Sequence, residues 1–332
     1  MAILLSLFMR NKDNATPRNP VALPAGFGAA ALGVLAFSFT FPATSFALRG
    51  FDPYLIGVGR AAIAAVLAVV ALRLMRAQRP RGRQWASLGV VAGGIVFGFP
   101  VLSTLALDHG SSSSHAAVVV GLLPVVTAVF AVVRAGERPS PLFWAASVAG
   151  AAFIVAFTLR NGVGHFSLAD ALLFGALLTC GLGYAEGGRL AREMPGPQVV
   201  SWALVLATPI TVPVTLVLLA ATPIHWSGAA VAGLAYVSVV SMFLGFFAWY
   251  AGLAKAGVAR ASQVQLAQPL LTLTWAWLLL GEHAGVSTVV AAAGVLVCVL
   301  AAQRARIASS ARPAGAAQVV PGATPTREAA NG

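Results

Sequence analysis

The sequence predicts an all-α integral membrane protein of ten transmembrane helices, arranged as two inverted five-helix repeats, and three observations predict it. The first is composition: 59% of the 332 residues are apolar and 9% are charged, against roughly 25% charged in an ordinary soluble domain. Hydrocarbon supplies no hydrogen-bond partner to the backbone, so a chain with a mean hydropathy of +0.87 is expected to cross the bilayer repeatedly as helices. The second is internal repetition. At an offset of 145 residues Pro124, Gly136 and Glu137 fall on Pro269, Gly281 and Glu282, and Ala106, Ala116, Val119, Thr127 and Ala146 fall on identical residue types. The third is parity. A repeat of five spans is odd, so the second copy enters the membrane from the opposite side, the arrangement of many secondary transporters.

The elements follow in order. Residues 1–25 read as a cytoplasmic tail, because the apolar start at Met1 to Phe8 is too short for a signal peptide. Spans are expected at residues 26–48, 53–75, 85–107, 115–134, 141–159, 168–190, 198–220, 226–250, 262–280 and 286–303. Each is near the roughly 20 residues needed to cross about 30 Å of hydrocarbon. The turns between them are marked by Arg79-Pro80-Arg81-Gly82, Asn161-Gly162 and Pro195-Gly196-Pro197. The first repeat occupies 26–160 and the second 166–303. Residues 304–332, rich in Ala, Pro, Gly and Thr, read as a disordered cytoplasmic tail.

The net charge of +12 is explained by where the basic residues fall. With the N-terminus inside, 18 of the 21 lie on the cytoplasmic side, including Arg73, Arg76, Arg79, Arg81 and Arg83 around one connection; Arg49 and Arg160 lie opposite and Arg60 lies within a span. This positive-inside asymmetry places both termini in the cytoplasm. A nucleic-acid partner is not expected, since the chain lacks a basic, aromatic-bearing soluble face.

The odd five-span unit, Arg60 early in the second span, and the Pro to Gly-Glu pattern closing the fourth and ninth spans resemble the EamA family of the drug/metabolite transporter superfamily over residues 26–303. The resemblance implies an inner-membrane secondary transporter or exporter of small metabolites. The first span departs from it, with Phe37-Ser38-Phe39-Thr40-Phe41-Pro42 where many relatives carry a Trp-Gly-containing stretch.

Ionisable side chains at membrane depth cost about 2.5 to 3.5 kcal/mol on insertion scales, so the few present are the first candidates. Arg60 either faces a central cavity, where a guanidinium would favour a carboxylate- or phosphate-bearing substrate, or snorkels or pairs with Asp52, Asp108 or Asp170. Glu186 either exchanges a coupling proton or pairs with Arg189 at i+3. Gln265, Gln268 and Thr272 share one helical face beside Pro269 and are candidate substrate contacts, although polar groups also join helices to one another in lipid. Gly136 and Gly281 are expected to end helices, with Glu137 and Glu282 favoured by the dipole of the next span; with Pro124 and Pro269 they are expected hinges or kinks. Trp249 and Tyr250 read as interfacial anchors. His109 and His115 flank Ser111 to Ser114 in what reads as an external polar turn, and Cys180 and Cys298 read as small apolar residues.

No triad, metal cluster or phosphate-binding loop is present, so no enzyme activity, cofactor or direct use of ATP is expected. The reading is a secondary active exporter of small metabolites (amino acids or related compounds) or drugs, working by alternating access and coupled to protons. A gradient-driven uniporter or exchanger, and a non-transporting scaffold or sensor, stand as alternatives. The expected partners are a small-molecule substrate, the bilayer and protons, with pairing into a homodimer left open.

Overall fold

The computed structural model describes residues 26–135, 140–161, 166–256, 264–283 and 285–310, and every regular element among them is helical. Ten spans follow one another: α1 (Phe27–Ala47), α2 (Pro53–Leu74), α3 (Arg83–Asp108), α4 (Ser113–Val133), α5 (Pro141–Asn161), α6 (Leu168–Leu190), α7 (Gly196–Ala221), α8 (Gly228–Lys255), α9 (Ala267–Leu280) and α10 (Val286–Ser310). Seven are long and apolar enough to cross a membrane on length and composition, and α5, α9 and α10 carry shorter apolar segments.

Local chemistry starts and stops these helices. Asp52 accepts from the Tyr54 and Leu55 amides (2.8 and 3.2 Å) ahead of Pro53 at the start of α2. Ser167 and Asp170 form a reciprocal capping box on α6. Gly281 ends α9 at φ 68°, in the left-handed region that glycine enters without a Cβ penalty. That much of the Gly-Glu expectation is seen; Gly136 and Glu137 lie outside the described residues, as does Gln263. At its far end α10 continues to Ser310, beyond the expected boundary at 303, because Ala-Ala-Gln-Arg-Ala-Arg is a run of strong helix formers.

The duplication reaches into the irregularities. α3 is wound as a π-helix at Ala92–Gly98 and α8 at Tyr236–Gly245, segments that the 145-residue offset superimposes. α4 is interrupted at residues 121–122, and the turn before α9 falls at 265–266. Packing obeys the same exchange. α3 against α6 is matched by α8 against α1, and α4 against α6 by α9 against α1, while α2 with α7, α4 with α9 and α5 with α10 each join a helix to its counterpart. An odd repeat related in this way is an inverted one, and α4 and α9 are one of the counterpart pairs that meet across it.

Small residues allow the close approaches. A methyl at Gly94 of α3 would overlap the Thr179 carbonyl of α6, and one at Gly233 of α8 would overlap the Ala43 carbonyl of α1; tight small-residue contacts replace the hydrophobic drive that lipid does not supply. Trp249 and Tyr250 correct the sequence reading. They are not interfacial anchors but among the largest fully buried side chains. Tyr250 fills the space left by Gly187 and Gly196, where a Cβ would strike it, and Trp249 lies 5.9 Å from the Tyr184 ring. An aromatic pair closing a span looks alike in sequence whether it meets lipid or a glycine-lined helix.

Candidate functional site

α4 and α9 meet at their proline-bearing breaks. Proline lacks the amide that would bond the carbonyl four residues back, so a helix entering one is easily opened there. Between the two breaks lies a cavity lined by Pro124, Gly121 and Val120 of α4, Pro269, Gln268 and Gln265 on the α9 side, and Phe41 of α1. Its volume is about 10 Å³, room for about one water molecule, so the site is closed in this conformation.

The two sides differ in polarity. The offset places Val120 opposite Gln265 and Leu123 opposite Gln268, so the polar half is on α9. Gln265 is buried, and its Nε2 and the Gln268 Oε1 have no hydrogen-bond partner among the described residues. A buried amide left unsatisfied costs about 1–3 kcal/mol, which marks both as groups waiting for a partner. Thr272 also lines the cavity, but its hydroxyl is engaged: it donates to the Ser38 carbonyl (2.7 Å) and lies 3.0 Å from the Gln268 carbonyl. The Ser38 carbonyl is within reach because α1 is interrupted at Phe39, and Trp275 Nε1 donates to the Ser38 hydroxyl (3.0 Å). Thr272 therefore ties α9 to the break in α1.

Arg60 lies elsewhere, on α2. It is 2% exposed, and its Nε and Nη1 have no partner among the described residues. The three carboxylates considered as its partners are committed to other groups: Asp52 caps α2, Asp108 lies 3.8 Å from His109, and Asp170 bonds His115 and Ser167. Burial also removes the snorkelling alternative. Cys180 of α6 lies within electrostatic reach of both Arg60 and Tyr184. Trp249 Nε1 and Tyr250 Oη, whose rings lie against Tyr184 and Phe246, are also without partners among the described residues. This second polar locus of Arg60, Tyr184, Trp249 and Tyr250 was not legible in the sequence beyond Arg60 itself. The only available signal was Gly187, whose missing side chain leaves room for Tyr250.

Glu186 is buried and ion-paired. Its Oε1 accepts from Arg189 Nη2 at 2.7 Å and from Nε at 3.2 Å, while Arg189 also reaches Glu193 (2.8 Å) and donates to the Ser87 hydroxyl of α3 (2.6 Å). Glu186, Arg60 and the α4–α9 cavity are thus three separate places.

Glu282 corrects a further expectation. The helix dipole it satisfies is not that of the next span, α10, but that of α4. Its Oε1 accepts from the Ser113 amide (3.0 Å), and its Oε2 from the Ser114 amide (2.8 Å) and hydroxyl (2.7 Å). Left-handed Gly281 turns the chain back, so the carboxylate reaches two of the amides that open α4, those of Ser113 and Ser114, instead of running on into α10. One residue further, His115 Nε2 lies 2.8 Å from Asp170 Oδ1 and the imidazole stacks on Phe157 at 5.0 Å. The expected polar turn at Ser111 to Ser114 is therefore half helix, and it is latched to the second repeat by two carboxylates. At this end a recess of about 490 Å³ is lined by His109, His115, Asp170, Ser287 and Thr288.

A duplicated five-helix membrane unit with a closed polar cavity on its axis defines a membrane carrier fold. The chain belongs to the EamA-like transporter family, whose model matches residues 24–159 and 167–302, one copy per repeat. It is 47% identical over 276 residues to the uncharacterized transporter YdeK of Bacillus subtilis, covering 82% of this chain and 95% of that one. It is 23% identical over 258 residues to a probable terminal-alkyne amino-acid exporter of Streptantibioticus cattleyicolor, covering 76% and 84% of the two chains. A solved crystal structure at 19% identity superposes with a TM-score of 0.59 over 86% of this chain and 98% of its own, a likeness of fold alone.

Proposed function

We propose that this chain is a secondary active transporter exporting small metabolites, amino acids or related compounds among them, by alternating access and in exchange for protons. The observation that carries the proposal is the closed cavity between the breaks of α4 and α9, with Gln265 and Gln268 presenting amide atoms that have no partner among the described residues. Such a site lies where inverted repeats meet and where rocking one against the other would open it to each side in turn. The Streptantibioticus relative, a probable terminal-alkyne amino-acid exporter, agrees with this substrate class. In the proposed orientation the Arg79 end is cytoplasmic, following the charge asymmetry, and the Glu282 and His115 contacts form the outer gate. Arg60 and its unpartnered guanidinium atoms would receive a carboxylate.

Glu186 is the proposed proton-coupling group. Arg189 is shared between Glu186 and Glu193, so a proton on Glu186 would leave Arg189 to Glu193 and loosen the tie from α6 to Ser87. Glu186→Gln is expected to flatten the pH dependence of transport while leaving substrate exchange intact. A pH profile unchanged from the parent protein would remove Glu186 from coupling.

The test of the function is efflux from proteoliposomes loaded in turn with labelled amino acids, with and without a pH gradient. Export accelerated by an inward proton gradient supports the proposal. Transport at a rate indifferent to the gradient points to the uniporter or exchanger.

A further inference from the structure

The Arg79 end carries a charged groove that the transport reading leaves unused. It is about 430 Å³, lies between the α2–α3 and α6–α7 connections, and is lined by Arg76, Arg79 and Arg81 on one side and Glu193, Met194 and Gln198 on the other. The single carboxylate on its wall is held by Arg189. None of the three guanidiniums has an ion-pair or hydrogen-bond partner among the described residues, and Arg73 and Arg83 flank them in the same state. Buried Pro80 pins the loop while Arg79 and Arg81 on either side stay exposed, and Arg76 turns the chain at φ 47°.

Two further features give the groove a depth and a direction. Trp85 is partly exposed and meets Trp202 edge-on at 5.8 Å, the amphipathic aromatic pairing found at headgroup level. Along α2, Ile63, Val66, Val70 and Leu74 are exposed at three- and four-residue spacing and form one apolar stripe running up to Arg73 and Arg76. A stripe for hydrocarbon leading to a cluster of unpaired guanidiniums is complementary to one amphiphile: acyl chains with a phosphate-bearing anionic head.

We propose that the Arg76, Arg79 and Arg81 groove is a binding site for an anionic phospholipid of the adjoining leaflet, its phosphate held by the guanidiniums and an acyl chain lying on the α2 stripe. Guanidinium forks suit phosphate geometry, and each basic residue near an anionic headgroup strengthens binding about fivefold. The site does not depend on which substrate is carried or on whether protons drive transport.

The experiment is lipid titration of the full chain in non-ionic detergent, read by native mass spectrometry and by the thermal unfolding midpoint. Phosphatidylglycerol is expected to bind at least tenfold more tightly than phosphatidylcholine and to raise the midpoint. The Arg76→Gln, Arg79→Gln, Arg81→Gln triple variant is expected to lose this preference, on the order of a hundredfold in affinity, while still binding phosphatidylcholine as the parent does. An Arg49→Gln, Arg160→Gln variant, changed at the other end, is expected to keep it. A triple variant that retains the preference overturns the proposal, as does a preference insensitive to salt. Inorganic phosphate producing the same midpoint shift as phosphatidylglycerol would assign the groove to a soluble anion and overturn the lipid. Should the triple variant fail to fold, Arg79→Gln alone is expected to weaken phosphatidylglycerol about fivefold, and no weakening would count against the site.

Discussion

Arg60→Met is expected to abolish transport while leaving the protein as stable as the parent or more so. The reasoning rests on sign. A guanidinium that is 2% exposed, with Nε and Nη1 unpartnered among the described residues, adds a desolvation cost to the folded state that no described carboxylate offsets. Replacing a buried charge with an apolar side chain of similar length is often neutral or stabilising by about 1–4 kcal/mol. A structural arginine behaves the other way: its loss leaves partners unsatisfied and lowers the midpoint. If Arg60 receives the substrate's carboxylate, Arg60→Met should reduce transport at least a hundredfold, the scale of about 3 kcal/mol for losing a charged hydrogen-bonding partner. Arg60→Lys should retain a small fraction, since the charge remains but the planar fork does not. Thermal unfolding and efflux measured on the same preparations check both halves. A destabilised variant, or one that transports normally, contradicts the role given to Arg60.

The second large effect is expected at the proposed outer gate. Glu282→Ala removes the acceptor of the Ser113 and Ser114 amides and of the Ser114 hydroxyl. These groups open α4, whose N-terminal dipole favours the carboxylate. Ser113 and Ser114 are buried, so the cost falls on the closed form and is about 2 kcal/mol. Hydrogen exchange at these two amides should accelerate by about thirtyfold, with little change at Val118 in the following turn. Glu282→Gln should fall between, because an amide oxygen still accepts but carries no charge. Unaltered exchange would mean that the Ser45–Ser113 contact (3.1 Å) and the His115–Asp170 pair hold this end without Glu282.

The fold was largely legible because its determinants are local and repeated. Ten apolar runs, the offset that pairs Pro124 with Pro269, and odd parity are properties of the residue string, and the matched π-segments of α3 and α8 follow the same offset. The candidate site was legible in part. Gln265, Gln268 and Thr272 share a face by helical period alone, and they do meet Pro124 across the axis. What they touch was legible only in part: Pro42 lacks the amide that would bond the Ser38 carbonyl four residues back, which signals the interruption of α1 at Phe39, but nothing in the sequence says that Thr272 comes to bond that carbonyl. Glu282 was assigned to the helix that follows it, whereas left-handed Gly281 sends its carboxylate to a helix 168 residues away. Trp249 and Tyr250 failed for a similar reason. Tyr250 is buried against glycines on α6 and α7 and Trp249 against Gly33 of α1, and a hydropathy window along α8 contains no information about any of them.

The central claim is that the α4–α9 cavity is the transport site and opens to each side of the membrane in turn. The measurement that tests it most directly places a single cysteine at Gln268, with Cys180 and Cys298 replaced by alanine, and follows its modification in oriented vesicles by a membrane-impermeant thiol reagent added to one side at a time. The account predicts reactivity from the cytoplasmic side, a slower reactivity from the outer side that rises about thirtyfold when Glu282→Ala is added, and protection from both sides by a transported substrate. A cysteine at Gln268 that stays unreactive from both sides during active transport would contradict it.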